Sequence, residues 1–187
     1  DGQTILYGGV PILAGFHSSS AGQTRAAGEV WVNDLPYLQP VDSPEDDDTI
    51  PNYYSRVSFT PEEFRKKIHA SYPEADLTGD MSGWLKNAKT DASGSVETVD
   101  VGGVTIKGTT MRTLLGLRSA CFTWEVQDGE MVFFATGFGH GVGMSQYGAN
   151  RMAREGADYV EILTHYYTGV SVEAWSGLTS FTNEAES

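Results

Sequence analysis

The sequence predicts an α+β fold: a mostly antiparallel, hairpin-built sheet with three or four short helices on its faces. Three observations predict it. Apolar runs are separated by the turn dipeptides Gly8-Gly9, Gly102-Gly103 and Asp128-Gly129. The last is the strongest hairpin signal in the chain, because a two-residue hairpin turn needs residues that tolerate positive φ. Helix-start signatures recur between these runs, at Thr60-Pro61-Glu62-Glu63 and at Asp158 with Glu161. Finally, 22 glycines and 7 prolines in 187 residues suit a turn-rich chain better than a helical bundle. With 40% hydrophobic residues there is enough apolar material for one domain, or one large domain carrying an insertion, over residues 1–187.

Taken in order, residues 4–7 and 10–16 read as a hairpin across Gly8-Gly9, with Pro11 confining its end to an edge. That hairpin delivers His17-Ser18-Ser19-Ser20-Ala21-Gly22-Gln23-Thr24, which reads either as a solvated turn or as a rim of hydroxyls and an imidazole facing a polar ligand. Val30-Trp31-Val32, Pro36-Tyr37-Leu38 and Val41 form an aromatic-rich connection over one end of the core. Residues 44–48, Pro-Glu-Asp-Asp-Asp, lack the glycine and terminal glutamate of a calcium loop and read as a solvated charge run. A strand over 53–59 leads into a helix capped by Thr60, whose Phe64, Ile68 and Tyr72 share one face at i, i+4 spacing. His69, beside that face, reads as structural or surface.

Strands are predicted over 84–90, 96–101 and 104–107, then a short helix through Met111, Leu114 and Leu115 that Gly116 ends. Residues 119–126 and 130–135 pair across Asp128-Gly129. Ser145 caps a helix to Arg154, Asp158 and Glu161 box the next one, and a strand resumes at 170–172. The tail over 180–187 reads as frayed.

The formal net charge is −13, which argues against a nucleic-acid partner. Cys121 is the only cysteine, so no internal disulfide or thiolate zinc cluster can form; its apolar strand context reads as a buried structural thiol. No run reaches the ~20 apolar residues of a membrane span. The chain opens at Asp1, without Met and already entering a strand, so we expect a piece of a longer protein, with any membrane tether in the part that precedes it.

Residues 136–149 carry the densest chemistry. Glycines 137, 139, 141 and 143 alternate with Phe138, His140 and Val142, a pattern that permits close backbone approach and positive φ. His140, Ser145, Gln146 and Tyr147 are thereby gathered at one strand–loop–helix junction. A phosphate loop is a weak reading because no lysine lies in the segment, and a dinucleotide fingerprint is weak because hairpins surround it. A Ser-His hydrolase lacks the Gly-x-Ser-x-Gly elbow, since Met144 and Gln146 flank Ser145, and no acidic residue nearby orients His140, which leaves only a triad assembled from distant parts of the chain. His17, His69, His140 and His165 show no His-Glu-x-x-His spacing, and the Glu161–His165 pair is equally a surface pair, so no metal and no cofactor are expected. What remains is a polar, aromatic-edged groove suited to a sugar, although cleavage of a glycosidic bond requires a carboxylic acid and none adjoins His140 in sequence.

The segment from Gly139 through His140-Gly141-Val142-Gly143-Met144-Ser145-Gln146-Tyr147-Gly148 to Ala149, followed by Ala153, Gly156, Tyr159, Ile162-Leu163 and His165-Tyr166-Tyr167, closely resembles the signature of the stage II sporulation protein D family. That family also includes the amidase enhancers. Further matches are Tyr7, Gly9 and Pro11-Ile12, the His17 to Thr24 loop, Val30-Trp31, Pro36-Tyr37-Leu38, Ile106, Gly108, Arg112 and Leu115-Gly116-Leu117 with Ser119, so the resemblance spans the whole chain. It implies an extracytoplasmic, often membrane-tethered bacterial lytic transglycosylase that cleaves peptidoglycan glycan strands and works in sporulation with a cell-wall amidase and a membrane partner protein. One glutamic acid would protonate the glycosidic oxygen while the sugar's 6-hydroxyl closes an anhydro ring. In the family pattern that glutamate lies upstream of residue 1, so the acid is carried onto no residue here. The resemblance then assigns this chain the glycan groove. His17, Ser18, Ser19 and Thr24 would form one wall, and His140, Ser145, Gln146 and Tyr147 the other, with Gly141 and Gly143 admitting the substrate. Gln146 and His140 would bind an acetamide or orient the acid; Tyr147 would stack or pack. The alternative is a non-catalytic peptidoglycan-binding or amidase-stimulating module.

Overall fold

The computed structural model describes residues 2–45 and 47–174. In chain order, β1 (Gln3–Tyr7) turns at Gly8-Gly9 into β2 (Val10–Pro11), and β3 (Phe16–His17), β4 (Gly22–Gln23), α1 (Ala27–Val30) and β5 (Asp42–Ser43) follow. Then come β6 (Tyr54–Phe59), α2 (Pro61–His69), β7 (Leu85–Thr90), β8 (Val96–Val101), β9 (Val104–Lys107) and α3 (Gly108–Leu115). The chain continues through β10 (Phe122–Gln127), β11 (Glu130–Thr136), β12 (Met144–Ser145), α4 (Gln146–Arg154), α5 (Tyr159–Tyr166) and β13 (Ser171–Ala174). The fold is α+β, as expected, but its strands are split among small sheets instead of one: β13-β1-β2, β10-β11-β6 and β7-β8-β9, with the pairs β12-β3 and β4-β5. Among the described strand pairs, β12-β3 alone is parallel, continued by a parallel bridge between Arg25 and Val142.

Local chemistry explains most elements. Asp128 and Gly129 both have positive φ, 50° and 81°, and turn β10 back onto β11 in register from Gln127↔Glu130 to Phe122↔Ala135. Thr60 accepts from the Glu63 N–H while Glu63 accepts from the Thr60 N–H, closing the anticipated capping box of α2. Asp158 and Glu161 do the same for α5. His69 Nε2 lies 2.9 Å from the Ala75 carbonyl, in a structural role.

Two expectations need correction. The second strand of the first hairpin does not run over 10–16: after Ile12 N–H reaches the Ile5 carbonyl, the Gly15 N–H bonds back to the Leu13 carbonyl and curls the chain away. One further helix, α1, is a single turn that no cap in the sequence announced; Glu29 accepts from the Ala26 N–H to start it. The tail over 180–187 lies outside the described residues.

Two apolar clusters hold the fold. The first draws on residues 57–135, where Phe64 stacks between Trp84 and Phe133, with ring centroids 5.9 and 6.0 Å away. The second is built from Ala27, Tyr37, Leu38, Val142, Tyr166 and Tyr167. Each large apolar side chain so buried contributes roughly 1.5–3 kcal/mol. The second cluster underlies the His140 segment.

Candidate functional site

The glycine run and the His17 loop lie along each other. β3 and β12 pair Phe16 with Met144 and His17 with Ser145. Before them, Ser19 and Phe138 exchange backbone hydrogen bonds of 3.1 and 2.9 Å, and the Arg25 N–H reaches the Gly141 carbonyl at 2.8 Å. The Tyr147 N–H closes on the Ser18 carbonyl at 3.1 Å. Such close apposition explains the glycines. At Gly143, with φ 72°, a Cβ would stand 2.0 Å from the Gly15 carbonyl oxygen; at Gly139, with φ 125°, it would stand 2.7 Å from the His17 Cβ.

His140 and His17 meet at this seam, with ring centroids 5.7 Å apart, and Trp31 lies 5.3 Å from His140 on another side. The Val142 N–H donates to His140 Nδ1 at 3.1 Å, so the neutral ring carries its proton on Nε2. Burial, helped by the Arg112 charge, lowers the His140 pKa, with the Phe16 carbonyl partly offsetting them. Burial and repulsion from His140 push His17 down to about 4. His17 Nδ1 lies 3.3 Å from the Val142 carbonyl and Nε2 2.8 Å from Ser20 Oγ, which makes Nδ1 the donor and Nε2 the acceptor. Both rings are therefore neutral hydrogen-bonding groups near pH 7. His140 is half-buried and His17 fully buried.

The structure corrects the reading of the acidic loop. Glu45 is not solvated: its Oε1 accepts from the Ser20 N–H at 2.7 Å, from Ser43 Oγ at 3.3 Å, and from Ser145 Oγ. Burial raises its pKa, against the pull of those same hydrogen bonds. Ser43 in turn meets Tyr166 Oη at 2.8 Å, so one polar chain ties the His17 loop, the start of α4 and α5 together. A carboxylate thus adjoins the His140 motif in space though not in sequence.

That network also settles Ser145. Its hydroxyl is fully buried, accepts from the Gly148 N–H as the α4 cap, and has its single proton engaged by Glu45 or the Ser18 carbonyl at 3.3 Å. No histidine bonds to it, so a Ser-His nucleophile is not formed. Thr24 is buried too: Oγ1 accepts from the Val41 N–H at 2.9 Å and pins the loop to the core side. Ser19 and Gly143 are likewise buried, whereas Ser18, Gly141 and Tyr147 are half-buried and Gln146 is exposed. All ten sequence-predicted residues come together, but five of them, His17, Ser19, Thr24, Gly143 and Ser145, shape the site from beneath.

Several residues at the site were not singled out in sequence as functional. Trp31 was read only as core cover. Arg25 and Asp91 form a buried ion pair of 2.6 Å. Arg118 lays its guanidinium 3.8 Å from the Phe138 ring centre, on the rim of the glycine run. The arrangement offers a half-exposed imidazole with a fixed tautomer, flanked by the rings of Trp31 and His17. Such surfaces hold sugars, whose hydroxyls need paired donors and acceptors and whose ring faces pack on aromatics.

Comparison with known proteins finds relatives over nearly the whole chain. No family model matches the chain. Stage II sporulation protein D of Bacillus amyloliquefaciens is 39% identical over 181 residues, covering 96% of this chain and 51% of that protein. The protein of the same name from Bacillus subtilis is 37% identical over 171 residues, 91% of this chain and 48% of the relative. An amidase enhancer of Bacillus subtilis is 26% identical, covering 93% of this chain and 31% of its own length. The chain therefore spans about half the length of the sporulation proteins it matches. With the glycine run, the buried His17 loop and these alignments in agreement, the chain belongs to the stage II sporulation protein D and amidase-enhancer family.

Proposed function

We propose that this chain supplies the glycan-holding groove of a peptidoglycan lytic transglycosylase, acting outside the cytoplasm in cell-wall remodelling or sporulation. The observation that carries the reading is the half-exposed His140, neutral and tautomerically fixed, set beside Trp31. A positioned neutral imidazole binds and orients; it does not itself replace the carboxylic acid that glycosidic cleavage requires. Glu45 is held by three hydrogen bonds beneath the surface, so the protonating glutamic acid is assigned to the part of the protein outside this chain. The reading draws on the names of the sporulation relatives for the cell-wall role, and on the amidase enhancer for an amidase as partner. A membrane tether and membrane partner protein belong to the same proposal; among the described residues, no helix is long and apolar enough to cross a membrane.

The test is cleavage of purified glycan strands by this chain and by a longer form carrying the preceding segment, with mass detection of anhydro sugars. Cleavage by the longer form alone supports the proposal, and its loss in His140→Ala places the groove. Binding without cleavage by either form favours the second reading, a peptidoglycan-binding or amidase-stimulating module, for which the engagement of the half-buried Glu45 by the buried Ser145 is the favouring observation. Cleavage by this chain alone would overturn the assignment of the acid.

A further inference from the structure

The stretch from Tyr7 to Phe16 forms an apolar ledge over the second cluster. It consists of the β1–β2 turn and the curl that follows, and Tyr7, Val10, Leu13 and Phe16 on it are 38%, 64%, 62% and 56% exposed. The ledge leads to the candidate site. The Tyr7 ring lies 5.4 Å from Tyr37, whose Oη accepts from the Leu13 N–H at 3.1 Å. A Cβ on Gly15 would stand 2.7 Å from the Trp31 ring, and Trp31 lies 5.3 Å from His140. From Gly2 to Thr24 there is no Asp, Glu, Lys or Arg, in a chain whose residues are 20% charged. Exposed strand edges ordinarily carry charge, and a run of large apolar side chains this exposed marks an interface.

Chemistry restricts what covers it. A membrane surface carries negative charge and repels a chain of net charge −13. A glycan offers hydroxyls, for which Val10 and Leu13 have neither a polar partner nor a ring to stack. A second copy related by a two-fold axis would bring two His140 sites together and close both to a polymer. An apolar protein face belonging to the same protein meets none of these objections. The sporulation relatives are about twice as long as the stretch they share with this chain, which leaves a comparable length of polypeptide to supply that face. The glycosidic acid assigned outside this chain would also have to arrive beside His140, where the ledge ends.

We propose that the ledge is the docking surface for the part of the protein outside these 187 residues, which seats an apolar face on Val10, Leu13 and Phe16 and completes the site at His140. The role of the docked part rests on the groove reading; the docking itself is measured without cleavage.

The test is hydroxyl-radical footprinting of this chain and of the full-length protein, with mass detection at Leu13 and Phe16. Labelling follows exposed area, so taking Leu13 from 62% exposed to the few per cent of an interface core is expected to slow it about tenfold in the full-length protein. Leu13→Asp would place an unpaired charge in that interface. In the full-length protein it is expected to return Phe16 to within about twofold of its labelling rate in this chain. The same substitution in this chain leaves the thermal melt where it was, because the position is exposed there. Equal labelling of the two forms would overturn the docking. A dimer of this chain in sedimentation equilibrium that Leu13→Asp dissolves would overturn it in favour of a second copy, and pelleting of this chain with anionic vesicles would overturn it in favour of a membrane. Protection without glycan cleavage would uphold the docking and sink the transglycosylase reading. Cleavage by the full-length protein without protection would leave the groove and overturn the docking.

Discussion

Replacing His17 with asparagine is expected to flatten the acid side of the stability curve by about 2 kcal/mol between pH 7 and pH 5. His17 is buried, and its pKa is lowered from 6.5 to about 4. A group with a depressed folded pKa binds fewer protons when folded than when unfolded. Its contribution is therefore complete above pH 6.5 and is lost as pH falls through 6.5 towards about 4. At roughly 1.4 kcal/mol per unit the full loss is about 3 kcal/mol, of which about 2 kcal/mol falls between pH 7 and 5. Asparagine keeps an N–H for the Val142 carbonyl and has nothing to protonate. Urea unfolding of both proteins at the two pH values gives the comparison. The difference between proteins, and not the wild-type slope alone, is the measure, because Glu45 with its raised pKa works in the opposite direction. Parallel pH slopes, or a His17 ring titrating at 6.5 or above by NMR, would refute the reasoning.

Three further outcomes follow from the same seam. Glu45→Ala strands the three donors on Oε1 and is expected to cost about 3 kcal/mol in urea unfolding at pH 7, whereas Glu45→Gln, neutral where burial disfavours charge, stays near wild type. A Cβ at Gly148 would stand 2.1 Å from Tyr166 Oη and 2.5 Å from Ser43 Oγ, so Gly148→Ala should lose about 1–3 kcal/mol and lower the melting temperature. Asp91→Asn leaves the buried Arg25 charge with only the more distant Glu29 carboxylate at 3.9 Å; a loss of about 3 kcal/mol is expected by calorimetry.

Much of the fold was legible because its signals are local. Asp128-Gly129, Thr60 with Glu63, Asp158 with Glu161, and Gly116 at φ 71° all did what residues within four positions of them dictate. The His140 junction was legible for the same reason, since the run of glycines could serve only a close approach. The partner of that approach was not. Nothing in Pro-Glu-Asp-Asp-Asp distinguishes Glu45 from its acidic neighbours; its burial is decided by Ser20, Ser43 and Ser145, the last 100 positions away. The Arg25–Asp91 pair spans 66 positions and is equally silent in sequence. Hydroxyls predicted to face a ligand instead support the seam from within, because a loop pinned on both sides by backbone bonds has few side chains left to turn outward.

The two apolar clusters also divide the chain in an unequal way. The first is continuous, residues 57–135, while the second joins residues 5–41 to 142–170. The path enters and leaves the first at adjacent points, where Tyr54 pairs with Thr136 and the Gly137 N–H meets the Tyr53 carbonyl at 2.9 Å. The intervening unit is closed by its own β6–β11 pairing, and the outer unit closes only after its two halves have been carried together across it. Amide exchange should accordingly be slower in β11 and α2 than in β3 and β12. The His140 segment thus lies in the unit expected to open first, while the unit it adjoins stays closed.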